Sequence, residues 1–315
     1  MSTASIAIII PAYKPDFLNS ALDSIKKQTS SDYHVYVADD GSPYDLKSIV
    51  EPYMEHMEIS YHRFDTNLGS QDLVAHWTRA IALSDNEPYL WLFSDDDIMG
   101  EECVATFLSL EPTLRDNNLI HFNLNVIDSG SGIVTPATAY PQTMSAEEYL
   151  KAKLSGQLIS YVVEFIFPRT IYENVGGFEN FDLAWGSDFM TWIKMAAYSN
   201  IGIITINNGN SRVSWRKSDK NISPNTSHPI IKRKMQAFIE NARFLKCFMK
   251  ECPGKFPTTR DSFRWLRFPL GEIFRKRHIL SYSEILSLSY NYRKTVGHQT
   301  ACLILTIFII LKKYL

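Results

Sequence analysis

Two hydrophobic periods alternate through the first third of the chain. Ser5 to Ala12 (SIAIIIPA) is a short, almost fully apolar run interrupted at Pro11, which predicts a buried strand. From Asp16 to Gln28 the apolar positions Phe17, Ala21, Leu22 and Ile25 fall at helical spacing. The pattern then repeats: a strand over Tyr33 to Ala38, the turn Asp39-Asp40-Gly41-Ser42, and a helix from Tyr44 to about His56. Ile59 to Phe64 predicts a third strand, Ser70 to Ser84 a helix, and Tyr89 to Phe93 a fourth strand. Strands and helices that alternate without tight hairpins imply βαβ units with right-handed crossovers, hence an α/β fold built on a mainly parallel sheet.

Further on the pattern loosens. It predicts a helix over Glu101 to Leu110, a strand over Leu119 to Ile127, and a Gly, Ser, Thr and Pro-bearing loop from Asp128 to Pro141, long enough for a substrate-facing lid. Ser145 followed by Glu148 marks a capped helix start. Tyr161 to Phe167 reads as a strand, with Glu164 inside it as either a ligand or an edge carboxylate facing water. From Ser187 the chain turns helical, with Phe189, Trp192, Ile193, Ala196 and Ala197 on one face and Asp188 in the first turn, as a capping acid or a positioned base. After a strand over Ile201 to Ile206, the Arg212 to Ser223 segment interleaves Arg and Lys with Trp215, which suits a diphosphate clamp, stacking on a base, or equally a solvated strand and loop. Ile230 to Lys250 is a long amphipathic helix.

The acids give this pattern its chemistry. Asp39 and Asp40 follow the second strand, and Asp95, Asp96 and Asp97 follow the fourth, so both sets reach one rim of the sheet. That is where open α/β sheets bind ligands. Adjacent carboxylates repel one another, and hard oxygen ligands select Mg²⁺ or Mn²⁺, ions that commonly carry a substrate phosphate. A carboxylate at Asp39 or Asp40 suits a nucleobase or ribose.

Composition narrows the class. An apolar share of 45% and a charged share of 21% are those of a globular chain. The four cysteines form no CxxC pair, which argues for reduced thiols and against a zinc or disulfide framework. With no secretory signal visible before Ser5, the expected compartment is the cytoplasm. A net charge of −2 hides an asymmetry: from Lys255 onward 11 Lys and Arg face 3 acids, so the basic end carries +8 and the rest −10. Phe263 to Leu280 mixes Arg and Lys with large apolar residues, a composition suited equally to an anionic membrane surface or to packing on the body or a second subunit. The apolar run Ala301 to Leu311 is shorter than the about 20 residues a bilayer requires. Nothing resembles a nucleic-acid module.

From Ile6 to Ser223 these features resemble the GT-A glycosyltransferases of family 2. The resemblance rests on six ordered motifs: Ile8 to Tyr13, Ala38 to Ser42, Asn67-Leu68-Gly69, Ser94 to Asp97, Gly176-Gly177-Phe178 and Trp185 to Asp188. It implies a GT-A domain over residues 1–225, with a nucleotide-sugar half to about 100 and an acceptor half beyond, and a helical C-terminal extension over 226–315. By that resemblance Pro11, Tyr13, Asp39, Asp40, Asp95, Asp96 and Arg216 line the nucleotide site, with Arg212, Trp215 and Ser223 beside Arg216. Asp97, with Asp95, would hold Mg²⁺ or Mn²⁺ in the "DxD" element, and Ser94 stands where many relatives have its first Asp. Asp188 would be the catalytic base, Ser187 replacing the Glu that relatives usually show before it, and Ser218 stands near where some relatives carry His. The implied reaction is an inverting, metal-dependent transfer from a nucleotide-sugar, UDP-sugars first, to a saccharide or lipid-linked acceptor in surface-polysaccharide assembly at the inner membrane face. A sugar nucleotidylyltransferase ranks below it, because Pro11-Ala12-Tyr13-Lys14 stands where a Gly-rich triphosphate loop belongs. A degenerate sugar-binding protein is the non-catalytic alternative.

Overall fold

Strand β1 (Ile6–Ala12) is buried at every position but Pro11, as befits a strand covered on both faces. It lies within an eight-stranded sheet of order β3-β2-β1-β4-β10-β6-β11-β9. The members are β2 (Tyr33–Asp39), β3 (Ile59–Arg63), β4 (Tyr89–Leu92), β6 (Leu119–Phe122), β9 (Thr143–Met144), β10 (Phe165–Pro168) and β11 (Ile203–Ile206). The structure is a computed structural model that describes residues 4–136, 139–218, 224–256, 266–297, 307 and 311. Strands β1 to β4 run parallel, with helices Leu18–Lys26 and Leu73–Ile81 on their crossovers. β10 then enters antiparallel between β4 and β6.

Four elements differ from the pattern. The run Leu119 to Ile127 is two strands, β6 and β7 (Leu124–Ile127), divided at Asn123 and assigned to different sheets. Periodicity cannot show this division, because both halves are apolar and only their partners differ. Part of the expected loop is strand β8 (Ile133–Pro136), a hairpin partner of β7. The helix expected over Tyr44 to His56 shortens to Lys47–Val50 and one 3₁₀ turn, Glu51–Tyr53, whose proline lacks an N–H to donate. Glu164 is no water-facing edge carboxylate: it ends a 3₁₀ turn, is fully buried, and lies 3.7 Å from the His121 imidazole. Ser145 does cap its helix, in a complete capping box with Glu148.

β5 (Ile98–Met99), β12 (Val213–Arg216), β7 and β8 form the second, four-stranded sheet. Both sheets belong to one compact unit, residues 1–179 and 191–218; the other comprises residues 180–190 and 219–315. The second unit packs helix His228–Glu251 with helices Phe268–Arg275 and Tyr282–Val296. Its helices are tied by Lys246 Nζ donating to the Val296 carbonyl (2.7 Å) and Asn291 Nδ2 donating to Gln236 Oε1 (3.0 Å). Most of Ala301 to Leu311 lies outside the described residues, and no described helix is long and apolar enough to cross a membrane.

Candidate active site at the carboxyl edge of the large sheet

β1 and β4 part at the carboxyl rim of the large sheet. β1 pairs with β2 along its whole length but with β4 only from Ile6 to Ile9. Ile9 accepts from the Phe93 amide (2.8 Å), so residue 11 faces the same side, where β4 has already ended. A proline costs no ladder bond there, and Pro11 sits at the last exit of the central strand. β2 and β3 build outward on one side of β1 and β4 on the other, so the gap is a topological switch point.

Asp95, Asp96 and Asp97 occupy the turn between β4 of the large sheet and β5 of the small one. Their carboxylates diverge. Asp95 Oδ2 accepts from the amides of Tyr13 (3.0 Å) and Lys14 (3.3 Å), tying the triplet to the loop after β1. Asp97 has no exposed surface, and its Oδ1 accepts from the Arg216 amide (2.7 Å) at the end of β12. Its Oδ2 is buried with no hydrogen-bond partner among the described residues. Burial, and then the neighbouring Asp96 charge, push the Asp97 carboxyl well above the usual carboxylate range. Burial and the Asp95 charge push Asp96 up to about 7, with Lys14 and Arg216 offsetting only part of this. A buried acceptor with a free lone pair, in a cluster of excess negative charge, is what a hard divalent cation satisfies. The donor set therefore fits a hard divalent cation such as Mg²⁺ or Mn²⁺.

Asp39 and Asp40 stand at the end of β2 on the same rim, both buried. Asp39 Oδ1 accepts from the Ser42 amide (2.7 Å) and Oδ2 from the Tyr61 hydroxyl (2.5 Å), with Arg63 at 3.6 Å. Asp40 accepts from the amides of Leu68 (3.0 Å) and Gly69 (2.8 Å) and from Arg79 Nη2 (2.5 Å). The Asn67-Leu68-Gly69 motif is thus the backbone partner of Asp40. Gly41 makes their approach possible: its φ is +64°, and a Cβ there would lie 2.9 Å from the Thr66 carbonyl carbon. Ser42 closes the loop by donating to the Tyr13 carbonyl (2.7 Å).

Arg216 is fully buried beneath the acid turn. Its Nε donates to the Asp96 carbonyl (2.8 Å), Nη1 to the carbonyls of Asp128 (2.7 Å) and Ser129 (3.2 Å), and Nη2 to Ser131 Oγ (3.1 Å). Its guanidinium also lies 4.2 Å from the Phe17 ring centre. These bonds spend the fork on the protein, where the sequence left a diphosphate clamp, base stacking and a solvated strand open. Trp215 likewise stacks on Tyr161 (3.9 Å between ring centres). Ser223 lies outside the described residues.

Asp188 lies in the first turn of helix Ser187–Tyr198, on the part assigned to the second unit. Within that unit the approach to it is constrained. Leu183 and Ala184 hold left-handed φ of 60° and 51°, rare for residues with side chains. Arg233 secures the segment with two bonds to Asp182 (2.9 and 2.6 Å). Ser187 is fully buried and accepts from the Phe181 amide (3.1 Å).

Sequence reading missed Tyr61, Arg63 and Arg79 as partners of the two acids. Only the one-turn spacing of His76 and Arg79, both meeting Asp40, left a trace in the sequence.

Residues 7–150 match the family model described as glycosyl transferase family 2. Among curated proteins no sequence matches. The chain resembles the solved structure of S. aureus TarS 1-349 in complex with UDP-GlcNAc, with TM-score 0.57 and 12% identity over 93% of this chain and 88% of that one. It resembles the mannosyltransferase PcManGT from Pyrobaculum calidifontis in complex with GDP-Man and Mn²⁺, with TM-score 0.51 and 13% identity over 98% and 87%. A third likeness is GalNAc-T7 with UDP, GalNAc and Mn²⁺, with TM-score 0.53 and 12% identity over 87% and 57%. At these identities the likeness establishes the fold.

Proposed function

We propose that this chain, a family 2 glycosyltransferase of the GT-A fold, transfers a sugar with inversion from a nucleotide-diphosphate sugar to an acceptor hydroxyl. The observation that carries the metal dependence is the unpartnered, buried Oδ2 of Asp97. Asp97, with Asp95, would hold Mg²⁺ or Mn²⁺, which when bound offsets charge growing on the departing diphosphate. Pro11 and Tyr13 line the nucleotide cleft, with Tyr13 36% exposed beside Asp95. Asp39 and Asp40 shape its far wall by gripping Tyr61, Leu68, Gly69 and Arg79. Arg216 acts beneath the cleft, fixing Asp96 and Asp97 against the Asp128 to Ser131 turn so that the acids keep one geometry. Asp188 is the base that takes the acceptor proton.

UDP-sugars are the first candidates, since UDP or UDP-GlcNAc is bound in two of the similar structures and GDP-Man in another. The acceptor is a saccharide or lipid-linked saccharide of a surface polysaccharide, met at the inner membrane face by the basic C-terminal segment. Titrating UDP, GDP and dTDP with and without Mn²⁺ into the wild type and Asp97→Ala tests the core of this reading. Metal-dependent binding of one nucleotide, lost in the variant, supports it; equal binding by both proteins overturns it. Loss of lipid-linked acceptor activity on removal of residues 257–315, with a soluble acceptor still used, would support the membrane role.

A further inference from the structure

The opposite edge of the large sheet carries a second polar cluster. His34 lies near the start of β2, five residues from Asp39 and so roughly 17 Å from the acid rim at about 3.3 Å per residue. Asp85 and Glu87 lie in the connection that enters β4. One ligand atom from each of His34, Asp85 and Glu87 falls within 4.8 Å of the others. His34 is 8% exposed, yet its Nδ1 has no hydrogen-bond partner among the described residues. That nitrogen lies 3.4 Å from Glu58 Oε1 and 4.0 Å from Glu87 Oε1.

We propose that His34, Asp85 and Glu87 form a second divalent-cation site, structural in role and taking an imidazole-preferring ion such as Zn²⁺. The ring is already oriented for it. His34 Nε2 lies 2.8 Å from Ser60 Oγ; when it donates there, the tautomer leaves the Nδ1 lone pair free for an ion. Stacking on Tyr36 (4.1 Å between centres) fixes the ring plane, and the Tyr36 hydroxyl donates to Glu87 Oε1 (2.6 Å). Around the cluster stand Glu58, Asp85 and Glu87, and among the described residues Arg169 is the cation paired with it, 3.5 Å from Glu87 Oε2. A divalent ion would offset this excess of negative charge. Ligand atoms about a tetrahedral Zn²⁺ lie about 3.4 Å apart, so the observed spacing closes with small side-chain movements. Asp85 is exposed, which leaves a side of the site open to water. One nitrogen with two carboxylates favours Zn²⁺ or Co²⁺ over Mg²⁺. The ion would pin the start of β2 to the segment before β4.

The test titrates EDTA-stripped full-length protein with Co²⁺ and then Zn²⁺, without nucleotide, reading visible Co²⁺ absorption and melting temperature. The expected result is one strongly absorbing, imidazole-ligated Co²⁺ equivalent displaced by Zn²⁺ in the wild type and in Asp97→Asn, absent in His34→Ala, and at least tenfold weaker in Asp85→Asn; an all-oxygen Co²⁺ site absorbs only weakly and is not counted. Zn²⁺ should raise the melting temperature in the first two proteins only. Absence of a Co²⁺ spectrum in the wild type overturns the proposal, as does a spectrum that survives His34→Ala or is lost in Asp97→Asn. Should His34→Ala fail to fold, Asp85→Asn decides, because its side chain is exposed. The Asp97→Asn arm separates this site from the proposed nucleotide site.

Discussion

Replacing Asp97 with Asn should stabilise the metal-free protein while removing its response to Mn²⁺ and nucleotide. In the metal-free state one carboxylate oxygen is buried and unpartnered, beside the charge of Asp96. An unsatisfied buried polar group costs about 1–3 kcal/mol, and more when charged. Asn keeps the Oδ1 acceptor for the Arg216 amide and cannot take on the charge that burial disfavours, leaving a neutral unpartnered amide instead. The net gain should be about 1–2 kcal/mol, or roughly 2–6 °C in melting temperature. In excess Mn²⁺ and UDP the order should reverse, because a ligand at 100 times its Kd stabilises the wild type by about 2.7 kcal/mol. Paired thermal melts in EDTA and in Mn²⁺ with UDP read both signs. A variant less stable than wild type in EDTA, or one that keeps the full ligand-induced shift, would refute the reasoning.

Asp40→Ala should cost about 3–5 kcal/mol in urea denaturation, since it strands Arg79 and two loop amides; Asp40→Asn should cost less, and a loss under 1 kcal/mol would deny Asp40 its holding role. Burial, and then the Lys276 charge, lower the Lys234 ammonium from 10.5 to about 8. Between those values the unfolded chain holds a proton the folded chain has released, so stability rises with pH from about 8 to 10.5. Lys234→Met should lack that component, and parallel stability curves for the two proteins would contradict it. Gly186→Ala should destabilise by about 1–2 kcal/mol from its φ of +85° alone, with more from a Cβ placed 2.3 Å from Asn241 Nδ2. A double cycle with Asn241→Ala should recover the clash but not the backbone strain, and strict additivity would exclude the contact.

The carboxyl-rim acids were legible because strand, acid and turn are contiguous in the chain. β1, β2 and β4 follow their apolar runs within a residue or two, and Asp39, Asp40 and Asp95 to Asp97 leave the ends those runs predict. The capping box at Ser145 and the long helix His228–Glu251 were legible for the same reason. What each acid does was not. Asp40 reads as a free carboxylate until Leu68, Gly69 and Arg79, about 30 to 40 residues on, consume its oxygens. Arg216 reads as an open clamp until the turn at Asp128 folds beneath it.

The sequence by itself therefore determined the alternating α/β order, the parallel leading strands and the sheet edge that bears the acids, since these follow from local periodicity and strand direction. Tertiary structure alone decided the division at Asn123, the antiparallel entry of β10, the burial of Glu164 and the single oxygen of Asp97 left without a partner. The physical reason is that burial and hydrogen-bond satisfaction belong to pairs of groups. The Asp97 amide partner lies 119 residues away, a distance over which no sequence period reaches.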